Sequence, residues 1–103
     1  MAESEGEVVG TVGAGASDVT GTAALTALWV APAARGRGVG EALVNVVLEW
    51  ANHAGYEHLV LWVVEGNAAA ESLYRRTGFQ RTGSVQLVRP EDPRMEYEMS
   101  RPV

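Results

Sequence analysis

The most chemically suggestive stretch of the chain is residues 35–40, Arg-Gly-Arg-Gly-Val-Gly, which follow the apolar run 28–30 and precede an amphipathic segment. Glycines at alternate positions allow backbone N–H groups to turn toward one point. The first turn of a following helix adds unsatisfied amides and the positive end of a helix dipole, which favour an anion. Arg35 and Arg37 add positive charge that does not titrate near neutral pH. We therefore predict a phosphate-binding loop.

The spacing of these glycines distinguishes the loop from two common nucleotide-binding motifs. A P-loop requires a lysine after its last glycine, and this chain contains no lysine. The dinucleotide-binding fingerprint spaces its glycines differently, and no acidic residue closes a second strand about 20 residues later, as that fingerprint requires. The pattern that fits is Arg-x-x-Gly-x-Gly, from Arg35 through Gly38 to Gly40.

A second motif follows one predicted helix and one predicted strand. Residues 67–79 read Asn-Ala-Ala-Ala-Glu-Ser-Leu-Tyr-Arg-Arg-Thr-Gly-Phe. Together the two motifs resemble the GNAT superfamily of N-acetyltransferases, whose Arg-x-x-Gly-x-Gly loop binds the diphosphate of acetyl-coenzyme A and whose second motif is Asn-x-x-Ala-x-x-Leu-Tyr. A glycine-rich loop alone is also typical of a mobile surface turn, so the prediction depends on both motifs.

The resemblance implies an acetyl-coenzyme A (acetyl-CoA) donor and a small or peptide amine as acceptor. In the family, the strand before the glycine loop and the strand after its helix diverge, and pantetheine lies between them. These strands correspond to residues 28–30 and 61–64. The cofactor-binding residues that the resemblance implies are Leu28, Trp29, Val30, Arg35, Gly36, Arg37, Gly38, Val39, Gly40, Glu41, Ala42, Asn67, Ala70 and Tyr74.

The catalytic residues are also implied by the resemblance. In the family the amine attacks the thioester directly, so no nucleophilic Ser-His-Asp set is needed, and none is evident. The hydroxyl of Tyr74 would protonate the departing thiolate. An alkyl amine with a pKa of about 10.4 is mostly protonated at pH 7, so a general base is useful. Glu65 and Glu98 are candidate bases by location only, and each is otherwise a solvated carboxylate.

Two of these residues have a structural role that competes or coexists with the chemical one. If Gly78 closes a Schellman cap, Tyr74 and Phe79 form its usual hydrophobic contact. Asn67 is a good N-cap for the short helix, and by the resemblance its side chain also faces the pantetheine or phosphate arm. We expect both roles for each residue.

Composition narrows the class of protein. The 103 residues and 47% hydrophobic content suit one globular domain, 1–103. A net charge of -5 argues against nucleic acid as a partner, although the arginines near the two motifs create local positive potential. Without cysteine there is no thiolate metal site, and His53 and His58 lack a third ligand, so we expect no metal. No stretch suits a membrane span, and a cytoplasmic location is expected.

Hydrophobic patterning predicts an α/β fold with a mixed central sheet. An unbroken apolar run at 59–64 predicts a central parallel strand covered on both faces. We expect a turn at 5 and 6, a loop at 14–22 and an antiparallel pair around 90–93. The predicted strands are 6–13, 24–30, 59–64, 79–87 and 95–100, and the predicted helices are 40–54, capped by Gly55, and 68–77, stopped by Gly78.

The long helix is predicted to be amphipathic. The apolar face is predicted to be Leu43, Val46, Val47, Trp50, Ala51 and Ala54. The three tryptophans, Trp29, Trp50 and Trp62, are predicted to lie in the core or at an interface rather than to serve as stacking platforms.

Relative to a typical GNAT domain, the chain corresponds to the region from the end of the second strand, at residues 1–3, to the seventh. The fold expected is thus an N-terminally shortened GNAT sheet. Loss of the two helices that normally cover the sheet would expose apolar surface, which predicts a homodimer. A non-catalytic module that binds acyl-CoA or a partner chain is the alternative, and nucleic-acid binding through the arginines is disfavoured by net charge.

Overall fold

The computed structural model describes residues 2–4 and 7–103, and the turn predicted at residues 5 and 6 lies outside them. A short 3-10 helix, Pro32–Ala34, precedes the glycine loop. The described strands form one mixed sheet in the order β1-β2-β3-β4-β6-β5. The strands are β1 (Ala2–Ser4), β2 (Glu7–Ala16), β3 (Thr22–Val30), β4 (His58–Val64), β5 (Gln80–Arg89) and β6 (Asp92–Pro102), and the α-helices are α1 (Val39–His53) and α2 (Ala68–Arg76).

The predicted α/β class and the order of the elements are confirmed. β3 and β4 are parallel, as expected for two strands joined by a helix. The other described pairings, β1 with β2, β2 with β3, β4 with β6 and β5 with β6, are antiparallel. The sheet is therefore mixed, with its single described parallel pair at the centre.

The parallel pair is short. β3 and β4 pair only at Thr22↔His58, Ala23↔Leu59 and Ala24↔Val60. On its other edge β3 pairs with β2, and Thr26 is the extra residue of a β-bulge because Ala14 pairs with Leu25 while Gly13 pairs with Ala27. A bulge bends its strand and increases the local twist. The bulge follows the last pair with β4 by two residues, so β3 leaves β4 at this point.

The hydrophobic core lies between one face of the sheet and both helices. Alternate residues of β4, namely Leu59, Leu61 and Val63, are buried, and their partners on β6 include Met99 and Tyr97, which are also buried. The remaining members of the core cluster come from β3, α1, α2 and the start of the last hairpin: Ala23, Leu25, Val44, Val47, Ala51, Tyr74 and Phe79.

The prediction that β4 is covered on both faces is wrong. Val60, Trp62 and Val64 alternate with the buried residues, and they are only half-buried. Since α1 and α2 both contribute to the core on the opposite face, no described helix covers this second face. The apolar run predicted a central strand correctly, but it could not distinguish burial by a helix from partial burial in an open face.

The face of α1 that packs on the sheet also differs from the prediction. Leu43, Val44, Val47 and Ala51 are buried, whereas Val46 is 59% exposed and Trp50 is 40% exposed. Ala54 is exposed after the end of the helix. The helical period allowed two overlapping apolar stripes, and packing on β2 and β3 selected the stripe that contains Val44. The predicted end of the helix is confirmed, because Gly55 has a φ of 86°.

Two predicted loops are shorter than expected. Residues 14–16 extend β2 and Thr22 begins β3, so only residues 17–21 connect them. The Ser17 hydroxyl donates to the carbonyl of Thr22 at 2.7 Å and stabilises this connection. The antiparallel pair β5 and β6 is confirmed, but Arg89 already pairs with Asp92, which leaves a turn at residues 90 and 91.

The close approach of α1 to β2 generates a prediction at Gly10. A Cβ added there would lie 2.9 Å from Cδ1 of Leu43 and 2.9 Å from the carbonyl oxygen of Trp29. We expect Gly10→Ala to destabilise the fold by about 1–3 kcal/mol, since overpacking must displace the helix or the strand. Gly15→Ala is the matched control on the same strand, because its Cβ would meet nothing within 4 Å. Urea denaturation measures both, and equal midpoints would contradict the prediction.

Candidate functional site

A cleft opens where β3 and β4 diverge. Its volume is about 500 Å³. Beyond Ala24 and Val60 the facing edges of the two strands have no described ladder pairs, so their backbone N–H and C=O groups are available to a ligand. The residues that line the cleft come from β3, the loop after it, β4 and α2: Leu25, Thr26, Ala27, Leu28, Trp29, Val30, Arg35, Trp62, Val63, Val64, Asn67, Ala69, Ala70, Leu73 and Tyr74.

A second cavity, of about 340 Å³, adjoins the cleft at the start of α1. The two share Val30, Arg35, Ala69 and Leu73 in their walls. The remaining residues of the second cavity come from the 3-10 helix, the glycine loop, the first turn of α1 and the end of α2: Ala34, Gly36, Gly38, Gly40, Glu41 and Arg76. A groove thus runs from the N-terminus of α1, which favours anions, into the gap between the strands.

The three glycines of the loop have two different roles. Gly36 and Gly38 both have a φ of 80°, and a Cβ at either would meet nothing within 4 Å, so positive φ and not space requires glycine there. Gly38 is the N-cap of α1. Gly40 is helical instead, and a Cβ there would lie 3.1 Å from Cδ2 of Leu73. Gly40 therefore allows α1 to approach α2, and its amide belongs to the first turn of α1, whose N–H groups have no acceptor within the helix.

The two arginines of the loop differ in position. Nε of Arg35 donates to the carbonyl oxygen of Val30 at 3.1 Å, which holds the side chain at the junction of the two cavities. Arg37 is exposed and lines neither of these cavities. Val39 and Ala42 line neither cavity as well, and Val39 instead packs toward Gly10. The other predicted cofactor-binding residues line at least one of the two cavities.

Tyr74 forms the predicted helix cap and lies at the cleft. The N–H of Phe79 donates to the carbonyl of Tyr74 at 2.9 Å, and the N–H of Gly78 donates to that of Arg75 at 3.1 Å, which is the Schellman pattern. The rings of Tyr74 and Phe79 meet edge to face, with centroids 5.8 Å apart. Tyr74 also lines the cleft, and its burial raises the pKa of its hydroxyl above the ordinary value of 10.0. The phenol is therefore protonated at neutral pH.

Asn67 caps α2 and lies beside the cleft. Its Oδ1 accepts a hydrogen bond from the N–H of Ala70 at 3.1 Å, which confirms the predicted N-cap. Asn67 and Ala70 both line the cleft. The N-terminus of α2 therefore lies at the cleft and is capped by Asn67.

Neither candidate base lines the cleft. Glu65 is exposed and lines a third cavity, of about 300 Å³, with Glu71, Arg81 and Tyr97. Glu98 is half-buried on β6, where it pairs in register with Trp62, and its Oε1 accepts a hydrogen bond from Thr82 at 2.7 Å. The tertiary structure therefore does not bring either carboxylate to Tyr74 directly.

A charged cluster holds α2 against the last two strands. Glu71, one turn before Arg75, is 2.9 Å from both Arg75 and Arg81. The guanidinium of Arg81 also stacks on the ring of Tyr97, 3.8 Å from its centroid. Hydrogen bonds from Arg81 and then Arg75 lower the pKa of Glu71 from 4.5 to about 2. The cluster fixes the position of α2, and with it the position of Tyr74.

Sequence reasoning missed several residues of the cleft. Trp62 is half-buried and lines the cleft, although it was not among the predicted cofactor-binding residues. Trp29, which was among them, is 47% exposed and also lines the cleft. Of the two predicted locations, core or interface, the core is therefore wrong for both. Trp50 is an exposed neighbour of Tyr56, at a centroid distance of 5.5 Å. The missed residues on β3 lie at the bulge, and no residue pattern in the sequence predicted the bulge. Leu73 could have been found, because it precedes Tyr74 in the second motif.

The divergence of β3 and β4 beside a glycine loop is the arrangement that the resemblance implied, and the comparisons agree. The model of the Acetyltransferase (GNAT) family matches residues 1–79. The chain belongs to the GNAT family. GNAT acetyltransferases use acetyl-CoA and act on amine acceptors.

Individual relatives support the same assignment. N-acetyltransferase 8 of Rattus norvegicus is 39% identical over an alignment 91 residues long, and the alignment covers 81% of this chain and 39% of the relative. The crystal structure of nourseothricin acetyltransferase superimposes on this chain with a TM-score of 0.85 at 33% identity. The superposition covers 95% of this chain and 59% of nourseothricin acetyltransferase. A chain of the NatC complex bound to Gag peptide and CoA shares the fold, with a TM-score of 0.81 at 18% identity. The superposition covers 92% of this chain and 61% of the NatC chain.

The chain covers only part of the length of the relatives that it matches. The chain spans about two fifths of the rat relative and 59% of nourseothricin acetyltransferase. In the described residues no helix is long and apolar enough to cross a membrane. The same residues contain no group of three or more His, Cys, Asp or Glu arranged to hold a metal ion.

The cluster at Glu71 generates a prediction about acid stability. Because the folded state lowers the pKa of Glu71, its ionised form stabilises the fold fully above pH 4.5, and this contribution is lost as the pH falls from about 4.5 to about 2. Asp92, whose pKa is lowered from 3.8 to about 2 beside Arg94, adds a similar loss over the lower part of this range, below pH 3.8. We expect the free energy of unfolding of Glu71→Gln to depend less on pH in this range than that of the wild type. The reason is that wild-type Glu71 takes up as much as about one proton on unfolding, and glutamine takes up none. Urea denaturation between pH 2 and pH 6 measures the slope, and identical slopes for variant and wild type would contradict the prediction.

Proposed function

We propose that residues 1–103 form an acetyl-CoA-dependent N-acetyltransferase domain that transfers an acetyl group to a primary amine. The observation that carries the proposal is the short β3/β4 ladder, because its end leaves a cleft that continues from the glycine loop to Tyr74. Family membership gives the donor and the class of acceptor. The identity of the acceptor amine and the direct-attack mechanism belong to this proposal.

The residues of the two cavities fit such a donor. The amides at the start of α1, with Arg35, suit a diphosphate, because a helix N-terminus and a guanidinium both favour a multiply charged anion. The unpaired edges of β3 and β4 offer backbone hydrogen bonds to the amides of pantetheine. The apolar walls, which include Leu28, Val63 and Leu73, suit its aliphatic parts. A cleft of about 500 Å³ is of the size expected for a bound cofactor arm.

The proposed reaction is a direct displacement at the thioester. The amine nitrogen forms a bond to the thioester carbonyl carbon, the carbon–sulfur bond breaks, and the nitrogen loses a proton. The Tyr74 hydroxyl gives its proton to the departing sulfur, and the raised pKa of that hydroxyl keeps the proton in place until negative charge develops on sulfur. Positioning of the two substrates supplies the rest of the rate enhancement.

The proton of the amine leaves through water in this proposal. Glu98 is the better placed of the two candidate bases, because its register partner Trp62 lines the cleft, whereas Glu65 faces the third cavity. Neither carboxylate reaches the cleft by itself, so a chain of water molecules would connect Glu98 with the amine.

Tyr74 provides the main test of the mechanism. We expect Tyr74→Phe to lower kcat by about 10²-fold or more while the Kd for acetyl-CoA changes little, because the phenyl ring keeps the contact with Phe79 and only the acidic proton is lost. Release of free CoA with a panel of amines measures turnover, and calorimetry measures Kd.

Tyr56→Phe is the matched control for Tyr74→Phe. Tyr56 packs on Trp50 and lines neither of the two cavities, so its variant should retain wild-type turnover. Equal turnover of the Tyr74 variant and the wild type would remove Tyr74 from the chemistry. Acetylated product from the wild type would reject the non-catalytic alternative, whereas absence of acetyl-CoA binding would reject the proposed function.

We also propose that the domain self-associates as a homodimer. Several large apolar side chains are about half exposed, and burying them would be favourable. They are Trp29, Val46, Trp50, Val85 and Leu87. Light scattering at tens of micromolar should give twice the mass of 11.0 kDa, and a monomer mass would contradict the proposal.

A further inference from the structure

The cavity at the start of α1 contains an ion pair that neither motif predicted. Nε of Arg76, in the last turn of α2, lies 2.9 Å from Oε1 of Glu41, in the first turn of α1. Both residues line the cavity together with Gly36 and Gly38. The pair therefore connects the ends of the two motifs across the wall of the proposed diphosphate site.

Several N–H groups of the Arg76 guanidinium form no hydrogen bond with the described residues. Apart from Glu41, it donates from Nη1 to the hydroxyl of Ser72 at 2.8 Å. Among the described residues these contacts use two of the five N–H groups of its guanidinium. The side chain is 55% exposed, so the remaining N–H groups are accessible from the cavity.

The charges around the cavity make this arginine important for an anion. The chain carries a net charge of -5, which repels a diphosphate at long range, so binding needs cations at the site itself. Arg37 lines neither cavity and Arg75 is paired with Glu71, which leaves Arg35 and Arg76 as the arginines in the walls of this cavity. Glu41 is the only carboxylate among the described residues that line it. Unless it is neutralised, Glu41 would repel the phosphate.

We propose that Arg76 binds the diphosphate of the acyl donor and that Glu41 competes with the phosphate for the guanidinium. This inference rests on the proposed function and names a specificity residue within its site. Guanidinium groups bind phosphate oxygens bidentately, so a diphosphate replaces a single carboxylate oxygen with a stronger partner. The exchange selects thioesters that carry a diphosphate over acetyl-pantetheine, which has no charge to draw Arg76 from Glu41.

The chain offers a closely matched pair of variants for the test. Arg75 and Arg76 are adjacent on α2 and have equally exposed side chains, at 55%. Arg75 does not line the cavity, and its partner Glu71 is also held by Arg81, so Arg75→Ala leaves that carboxylate paired. Thermal unfolding of both variants establishes that each is folded before binding is compared.

Calorimetry with acetyl-CoA should distinguish the two arginines. We expect Arg76→Ala to raise Kd at least about tenfold and Arg75→Ala to change it less than about twofold, because only Arg76 forms a charged hydrogen bond to the ligand. The same ratio is expected with 3′-dephospho-acetyl-CoA, which retains the diphosphate. Glu41→Gln should lower Kd a few-fold, since it removes both the competitor and a repulsive charge.

Three results would overturn the proposal, and a fourth separates it from the proposed function. Equal Kd values for the two alanine variants would remove Arg76 from the site. An Arg76→Ala effect that vanishes with 3′-dephospho-acetyl-CoA would place Arg76 on the 3′-phosphate instead. Weaker binding by Glu41→Gln would show that Glu41 positions Arg76 and does not compete. If wild-type protein fails to bind acetyl-CoA, the proposed function is wrong, and the role of Arg76 is lost with it.

Discussion

The structure depends on how soon β3 and β4 stop pairing. After three residue pairs, β3 continues along β2 with a bulge at Thr26, while β4 continues along β6. A ladder extended by a few more pairs would satisfy the backbone groups that now face the cleft, and no space would remain between the strands. Each strand is supported on its outer edge by an antiparallel neighbour, so neither strand depends on the other for its place in the sheet beyond the three pairs.

Helix α2 connects this gap to the glycine loop. Its N-terminus is capped by Asn67 at the cleft, its C-terminus is closed by the Schellman pattern at Gly78, and Tyr74 projects from it into the cleft. Gly40 lets the first turn of α1 approach Leu73 of the same helix. Small movements of α2 would therefore change the loop end and the Tyr74 end of the groove together, and the ion pair of Glu71 with Arg81 holds the helix against the last two strands.

Both sequence motifs therefore have structural as well as chemical reasons for their residues. Gly36 and Gly38 are needed for positive φ, and Gly40 is needed for the close packing of α1 on α2, in addition to the backbone amides that the spacing suggested. Tyr74 and Asn67 combine a cap with a place in the cleft. Such double roles are expected at sites on short helices, because few residues are available for either purpose.

Local chemistry in the sequence determined the elements, their order, the caps of both helices and the position of the glycine loop, since periodicity, glycine and asparagine act over a few residues. It did not determine which stripe of α1 is buried, that Trp62 lines the cleft, or that Glu65 and Arg76 face different cavities. Those outcomes depend on the register of β3 against β2 and β4 and on the approach of α2 to α1. Register and helix contacts join residues far apart in the chain, so only the tertiary structure decided them.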